Sequence, residues 1–254
     1  MKYVAQLILP VLLLIGSFFA SSSMACTTSQ WNGGVTGTPI ADSPLAVSRV
    51  SGLCAMKLDA LGSVTDNSPS VEPTANIRFY VFAQLNSGSP VIFEAFSADD
   101  AGGDSLISVT FDGTNFVFDA GDTPSAGVPG TAGWNLVEVA WTGGATMDYW
   151  VNADSTLSPA TGSVNAAAGT MESVVLGAAG SLDGMITFDD YVSHRTTPVG
   201  GLLMGDANGS DTLTIADVIA LFNELNGTLA TGQPDCNSSG GISIADVICL
   251  FNQL

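Results

Sequence analysis

The sequence is poor in basic residues. It has 5 lysines and arginines against 24 aspartates and glutamates in 254 residues, which gives a formal net charge of −19. A nucleic-acid-binding protein must neutralise phosphates with lysine or arginine, so nucleic acid is excluded as the expected partner. Only 11% of the residues are charged, so the imbalance is a deficit of lysine. It leaves some carboxylates as candidates for holding divalent cations.

Catalytic signatures are also scarce. The single histidine, His194, has no Gly-x-Ser-x-Gly motif to accompany it, and we expect it at the surface. Glycoside cleavage needs two carboxylates that face each other across a cleft. Glu94 and Glu138 are single acids on separate predicted strands. The sequence therefore favours a non-catalytic protein, with a hydrolase of O-glycosyl bonds, or a lyase, as the alternative.

Long apolar runs are confined to the N-terminus. Lys2, an apolar run over residues 4–20 and small residues up to Ala25 predict a secretory signal peptide over residues 1–25. The run is short for a membrane span, so we expect a secreted or cell-surface bacterial protein without a stable span. Cleavage after Ala25 would place Cys26 first. Ser23 stands where lipoproteins usually have leucine, so a lipid anchor at Cys26 is the less favoured alternative.

Cysteines number only four. In an exported chain an even number indicates disulfides. The cysteines fall as two local pairs, Cys26 with Cys54 and Cys236 with Cys249, and pairing within each pair is the most economical of three connectivities. The other two stay open.

Helical periodicity is missing before about residue 210. Between residues 77 and 195, short segments rich in Val, Ile, Phe, Tyr and Thr, bounded by Gly, Pro, Asn and Asp, predict strands. Residues 136–141 alternate between two faces, and residues 112–115 predict a hairpin turn. Regular strand spacing without helices predicts a mainly β fold, a two-sheet sandwich or jelly roll.

Two segments of this region, GWNLVEVAWTGGATMDYWVNAD and VVLGAAGSLDGMITFDDYVSHR, resemble the later strands of laminin-G-like, concanavalin-A-like sandwiches. The resemblance spans residues 26–196. It implies a domain that binds a glycan or a surface protein and that in some relatives cleaves glycans. The aromatic side chains of Trp141, Tyr149 and Trp150 are candidates for stacking on sugar rings, but core packing is favoured for at least half of them.

The C-terminal segment contains an internal repeat. After a Pro/Gly linker at residues 197–204, the sequences IADVIALFNEL (215–225) and IADVICLFNQL (244–254) agree at nine of eleven positions. Their apolar residues recur at helical spacing, and each helix alone is too short to be stable in water. We predict that the two apolar faces pack together. The residues of these faces are Ile215, Val218, Ile219, Phe222 and Leu225, and Ile244, Val247, Ile248, Phe251 and Leu254.

A polar twelve-residue loop precedes each helix, DANGSDTLTIAD (206–217) and DCNSSGGISIAD (235–246). Calcium takes six to eight oxygen ligands, and alternate residues of a tight loop present them. With two carboxylates per loop we expect weak binding, with a dissociation constant on the order of 10⁻⁴ M. The alternative is a pair of capped helices, because each loop ends with capping-box spacing. The predicted ligands are Asp206, Asn208, Ser210, Thr212, Thr214 and Asp217 for one ion, and Asp235, Asn237, Ser239, Gly241, Ser243 and Asp246 for the other.

The paired loops and helices, opened by Gly205-Asp206, resemble a dockerin. The resemblance implies a small all-α, EF-hand-like module over residues 205–254, two calcium ions and a cohesin-like partner in polysaccharide-related assemblies. Serine occupies loop position 5 in both copies, where aspartate is usual. Asp211 occupies position 6, where glycine is usual, and aspartate tolerates the left-handed backbone better than most residues.

Positions 10 and 11 of dockerin loops commonly carry partner recognition. Here they are Ile215 and Ala216, repeated as Ile244 and Ala245. Their identity predicts two quasi-equivalent binding faces, and a core role for the isoleucines is the alternative. The expected protein is a secreted binding protein. A structural surface or matrix protein, whose module packs on its own sandwich, is a further alternative.

Overall fold

A computed structural model describes residue 28 and residues 31–42, 49–52 and 54–254. The predicted signal peptide, the lipid-anchor alternative at Cys26 and the Cys26 half of its predicted disulfide lie outside these residues. In the described part of the chain, no helix is long and apolar enough to cross a membrane.

The described chain consists of strands followed by two helices. The strands are β1 (Gly34–Thr36), β2 (Ile40–Asp42), β3 (Ala55–Leu58), β4 (Gly62–Asp66), β5 (Thr74–Ser87), β6 (Val91–Ala98), β7 (Gly102–Phe111), β8 (Asn115–Asp119), β9 (Val128–Pro129), β10 (Asn135–Thr142), β11 (Thr146–Val151), β12 (Gly162–Asn165), β13 (Ser173–Ala179) and β14 (Asp183–His194). The helices are α1 (Ile215–Leu225) and α2 (Ile244–Phe251).

The strands form two seven-stranded sheets, with the orders β1-β4-β13-β6-β7-β8-β9 and β12-β11-β10-β5-β14-β3-β2. The pairings between these strands are antiparallel. The predicted hairpin lies between β7 and β8, where Phe111 pairs with Phe116 and the Asp112 carboxylate accepts hydrogen bonds from the Thr114 and Asn115 N–H groups. The prediction of a mainly β sandwich is confirmed.

Aromatic side chains join the two sheets across the core. Phe79 of β5 stacks on Phe93 of β6, with ring centroids 5.5 Å apart, and Phe118 of β8 stacks on Tyr149 of β11 at 4.2 Å. Trp141 is 1% exposed. Trp150 is also buried, and its indole N–H donates to the Ser158 carbonyl. Core packing, which we favour for at least half of Trp141, Tyr149 and Trp150, accounts for Trp141 and Tyr149, and Trp150 is buried as well, so none of the three is free to stack on a sugar ring.

The outer face of the second sheet is covered by residues 197–204, which we call the strap. Glu138 on β10 is fully buried, and its two carboxylate oxygens accept hydrogen bonds from Val199 N (2.8 Å) and Gly200 N (3.1 Å). The Tyr80 hydroxyl on β5 accepts another from Leu202 N at 2.8 Å. The segment predicted as a linker is thus held against the sandwich by its own backbone.

The two helices pack against each other beyond the strap. Their buried apolar residues are Val218 and Leu221 on α1 and Val247 and Leu250 on α2. The predicted set of core residues is therefore wrong except for the two valines, because the leucines form the contact and the remaining apolar side chains face outward. The predicted disulfide joins Cys236 to Cys249, with Cα atoms 5.9 Å apart.

Cys54 also takes part in a disulfide. Disulfides are typical of chains that fold in an oxidising compartment.

Candidate metal centres and the exposed helix faces

The first polar loop wraps its backbone around two buried carboxylates. Asp206, at position 1, accepts hydrogen bonds from Ser210 N (2.9 Å) and Asp211 N (2.7 Å). Asp217, at position 12, accepts one from Asn208 N at 3.1 Å and interacts directly with the Asp206 side chain. Asp211 has a φ of 59°. Asp211 therefore adopts the left-handed backbone conformation that aspartate is expected to tolerate at position 6.

The second loop repeats this geometry. Asp235 accepts hydrogen bonds from Ser239 N (2.9 Å) and Gly240 N (2.7 Å), and Asp246 accepts one from Asn237 N at 3.2 Å. The two carboxylates again interact with each other. Because every one of these contacts has its counterpart 29 residues earlier, the sequence repeat is a repeat of site geometry.

Both loops also end in a capping box. The Thr214 hydroxyl accepts from Ala216 N while Thr214 N donates to Asp217, and Ser243 and Asp246 do the same for α2. The interpretation of the loop ends as helix caps is therefore correct. It explains why aspartate occupies position 12, but it does not explain why a carboxylate is buried at position 1.

No basic side chain neutralises these four carboxylates within the described chain. Asp206 is 1% exposed, and Asp217, Asp235 and Asp246 are fully buried. A buried carboxylate needs a cation or several hydrogen-bond donors. The salt bridges of the described lysine and arginine side chains are Arg49–Glu224, Lys57–Asp59, Arg78–Asp190 and Arg195–Glu72.

One carboxylate of each pair has a shifted pKa. Burial raises the pKa of Asp217, but N–H groups of Asn208 and Thr214 and the Thr214 hydroxyl outweigh it and hold this pKa below its usual value. Burial, reinforced by the charge of Asp246, raises the pKa of Asp235 to about 6 despite two N–H donors.

The donor set suits a hard cation. The Asn208 side-chain oxygen, at position 3, is buried and has no hydrogen-bond partner. The Ser210 hydroxyl lies 3.2 Å from the Thr212 carbonyl oxygen, and Ser239 lies 3.2 Å from that of Gly241. Clusters of three or more His, Cys, Asp or Glu side chains suited to a metal do not occur among the described residues. A cation in either loop therefore takes amide, hydroxyl and carbonyl oxygens besides two carboxylates, a set that calcium accepts.

The helices expose a second apolar face opposite their shared core, and we call these faces the docking stripes. Ile215 and Ile244 are 59% and 58% exposed, and Ile219 and Ile248 are both 57% exposed. A core role for the two position-10 isoleucines is excluded. Ala216 and Ala245 lie beside them and are exposed as well. The full set is Ile215, Ile219, Phe222 and Leu225 on the first stripe and Ile244, Ile248, Phe251 and Leu254 on the second.

Two acids and the histidine considered for catalysis have separate surroundings. Glu138 on β10 is buried, and both of its carboxylate oxygens are hydrogen-bonded to the strap. Burial raises the pKa of Glu94 on β6. His194 is exposed at the end of β14, as predicted. Arg49 was not predicted as a functional residue, because the sequence around it has no strand or helix periodicity. Its buried guanidinium nitrogen Nη2 lies 2.6 Å from a carboxylate oxygen of Glu224 on α1.

No family model and no curated protein matches the sequence. Solved structures similar to the sandwich include the receptor-binding domain of botulinum neurotoxin D, at 12% identity, with 64% of this chain and 44% of that chain covered and a TM-score of 0.46. The type G receptor-binding domain has 10% identity, 63% and 41% coverage and a TM-score of 0.45. The serotype D ligand-binding domain in complex with N-acetylneuraminic acid has 11% identity, 62% and 43% coverage and a TM-score of 0.43.

This chain spans about two fifths of the length of those neurotoxin chains. At this identity and score the similarity says nothing about a ligand or partner of this chain.

Proposed function

We propose that this chain is a secreted binding protein whose C-terminal, dockerin-like module attaches to a cohesin-like partner when calcium fills its two loops. The observation that carries the proposal is the pair of docking stripes. Eight of the fourteen exposed large apolar side chains of the described residues lie on α1 and α2 or just after them. Contiguous apolar patches of this kind mark sites of protein interaction.

Calcium is the proposed condition for docking. Each loop places two buried carboxylates beside neutral oxygen donors at the N-terminus of one stripe-bearing helix. A bound ion supplies the missing positive charge and holds the loop, and the capping residue then fixes where its helix begins. Thr214 and Ser243 serve as caps here, so we assign them water-mediated contact with the ion, as is common at position 9.

The sandwich is proposed as a laminin-G-like domain that binds a glycan or a surface protein. With its candidate aromatics buried, such a ligand must use another part of the surface. A purely structural role, with the module only packed on its own sandwich, is less well supported. That packing uses the strap and the second loop and leaves both stripes exposed.

Calcium titration of the full chain by isothermal calorimetry tests the first half of this proposal. We expect two ions for the unmodified protein and one each for Asp206→Asn and Asp235→Asn. The absence of binding up to about 10 mM, well above the weakest loop affinities, would reduce the loops to capped helix ends and contradict the calcium assignment.

Binding to immobilised cohesin-like domains tests the second half. The double variant Ile219→Asp/Ile248→Asp should lose at least about thirtyfold in affinity, because a central interface residue contributes roughly 2 kcal/mol or more. Leu157→Asp is the matched control, since Leu157 is 83% exposed and lies on the sandwich. Equal binding by both variants, or undiminished binding in chelator, would contradict docking through the stripes.

A further inference from the structure

The two loops share their internal geometry but not their surroundings. Outside contacts of the first loop come from the module itself, where the Thr231 hydroxyl donates to the Asn208 carbonyl at 3.1 Å and Gly232 packs on Gly209. The second loop instead contacts the sandwich. Trp134 N, just before β10, donates to the Ser238 carbonyl at 3.0 Å. The repeat therefore contains one loop that faces its own module and one that joins two parts of the chain.

The contact between the second loop and the sandwich is close-packed. A Cβ added at Gly133 would overlap the Ser238 carbonyl oxygen, and one at Gly240 would lie 2.7 Å from the Phe82 ring. Phe82 in turn packs against Trp134, with ring centroids 5.7 Å apart. Neither glycine tolerates a side chain without a shift of the neighbouring backbone or ring. The contact between the second loop and the sandwich therefore depends on the backbone conformation of residues 238–240.

A turn at Ser238 sets that conformation. Ser238 lies between the proposed ligands Asn237 and Ser239, and its φ is 55°. A left-handed conformation is unfavourable for serine and persists only where the surroundings enforce it. The Asp235 carboxylate does so here by accepting from Ser239 N and Gly240 N. Without a cation, the adjacent charge of Asp246 repels Asp235 and works against this turn.

Other attachments of the module do not pass through the second loop. Arg49 pairs with Glu224 on α1, and the strap is held by Glu138 and Tyr80. These attachments would remain if residues 238–240 moved away from the sandwich.

We propose that the second loop is a calcium-controlled joint, in which the ion held by Asp235 and Asp246 seats the module on the sandwich at Trp134 and Phe82. The first loop serves only its own helix. This inference rests on the proposed calcium binding, and it assigns unequal roles to two sites that look equivalent in sequence. By linkage, seating must also strengthen the binding of the second ion.

Tryptophan fluorescence of the full chain, titrated with calcium after chelation, tests the joint. Among the described tryptophans, Trp134 alone belongs to the cluster that packs under the module, while Trp31, Trp141 and Trp150 lie elsewhere in the sandwich. We expect a calcium-dependent emission change that Trp134→Phe removes. Asp206→Asn should keep the change, whereas Asp235→Asn, which is expected to lose the second ion, should lose the change.

A second variant leaves every proposed ligand intact. Gly133→Ala pushes on the Ser238 carbonyl from the sandwich side and should weaken one of the two calcium sites severalfold. Gly127→Ala is its control, because the added Cβ would lie 3.4 Å from Asn115, an ordinary contact distance.

The outcomes separate the two proposals. If calorimetry detects no ion, the proposed function fails together with the joint. If two ions bind but Asp206→Asn and Asp235→Asn affect Trp134 equally, or Gly133→Ala leaves both affinities unchanged, only the joint is overturned.

Discussion

The sandwich and the C-terminal module treat their large apolar residues in opposite ways. In the sandwich, the side chains of Phe79, Phe93 and Trp141 are at most 1% exposed. In the module, Ile219 and Ile248 remain more than half exposed although they lie on the same helices as the buried Leu221 and Leu250. The module therefore buries one apolar face within itself and leaves a second exposed, which is the face assigned to a partner in the proposed function.

Leucine-to-alanine variants sharpen this comparison most. Leu221→Ala or Leu250→Ala should lower the free energy of unfolding of the module by about 2–5 kcal/mol, because each removes a fully buried side chain from a small core. Ile219→Ala and Ile248→Ala, on the opposite face, should change it by less than about 0.5 kcal/mol. Urea unfolding of the full chain in saturating calcium measures both. Equal losses from the two faces would show that the stripes are covered within the chain.

Asp189 is a buried carboxylate of the sandwich, outside the two loops, and its protonation should affect the stability of the sandwich. Burial raises the pKa of Asp189 to about 7, although N–H groups of Ser51, Val50 and Asp190 donate to it and lower it. The folded state then binds a proton that the unfolded state releases near pH 4. Stability of the sandwich should therefore fall as pH rises from about 4 to 7, by at most about 4 kcal/mol at 1.36 kcal/mol per pH unit.

Urea unfolding at pH 5 and pH 8 in chelator checks this direction. Asp189→Asn should flatten the difference between the two pH values. Asp183→Asn, on an exposed residue of the same strand, should leave it unchanged. A sandwich that gains stability between pH 5 and pH 8 would contradict the assignment.

Much of the fold could be predicted because strand alternation reports one buried face directly. Val137 and Val139 lie in the core, as their spacing indicates. The sequence did not indicate that the other face of β5, with Tyr80 and Phe82, is also covered. The cover is a Pro/Gly segment that is attached through its backbone N–H groups to Glu138 and Tyr80. It is also attached through the Leu202 and Met204 side chains, which pack on the Phe82 cluster.

The helices were harder to interpret for a related reason. A helix that is apolar on two faces gives the pattern of a buried helix, whether the second face meets its own chain or a partner. Helical spacing from Ile215 selected the exposed stripe and passed over Leu221. The hydrogen bonds of the two loops follow the sequence repeat because the loop carboxylates lie at fixed offsets from a cap. The unequal environments of the two loops depend on Trp134, about 100 residues away, and no local pattern reports that contact.

The strap connects the two regions, and Glu138→Gln should give the smallest of these effects. The substitution keeps one acceptor oxygen but replaces the other with an NH₂ group. That group would face the N–H of Val199 or Gly200, so two donors would meet without an acceptor. Leaving one buried donor unsatisfied costs about 1–3 kcal/mol. Limited proteolysis should cut the variant faster within residues 197–204, whereas Glu94→Gln, on the opposite sheet, should be cut as slowly as the unmodified protein. If Glu138→Gln resists cleavage equally, Glu138 is not what holds the strap. The contacts from Tyr80 to Leu202 N and from Arg78 to the Gly200 carbonyl would then be sufficient to attach the strap to the sandwich.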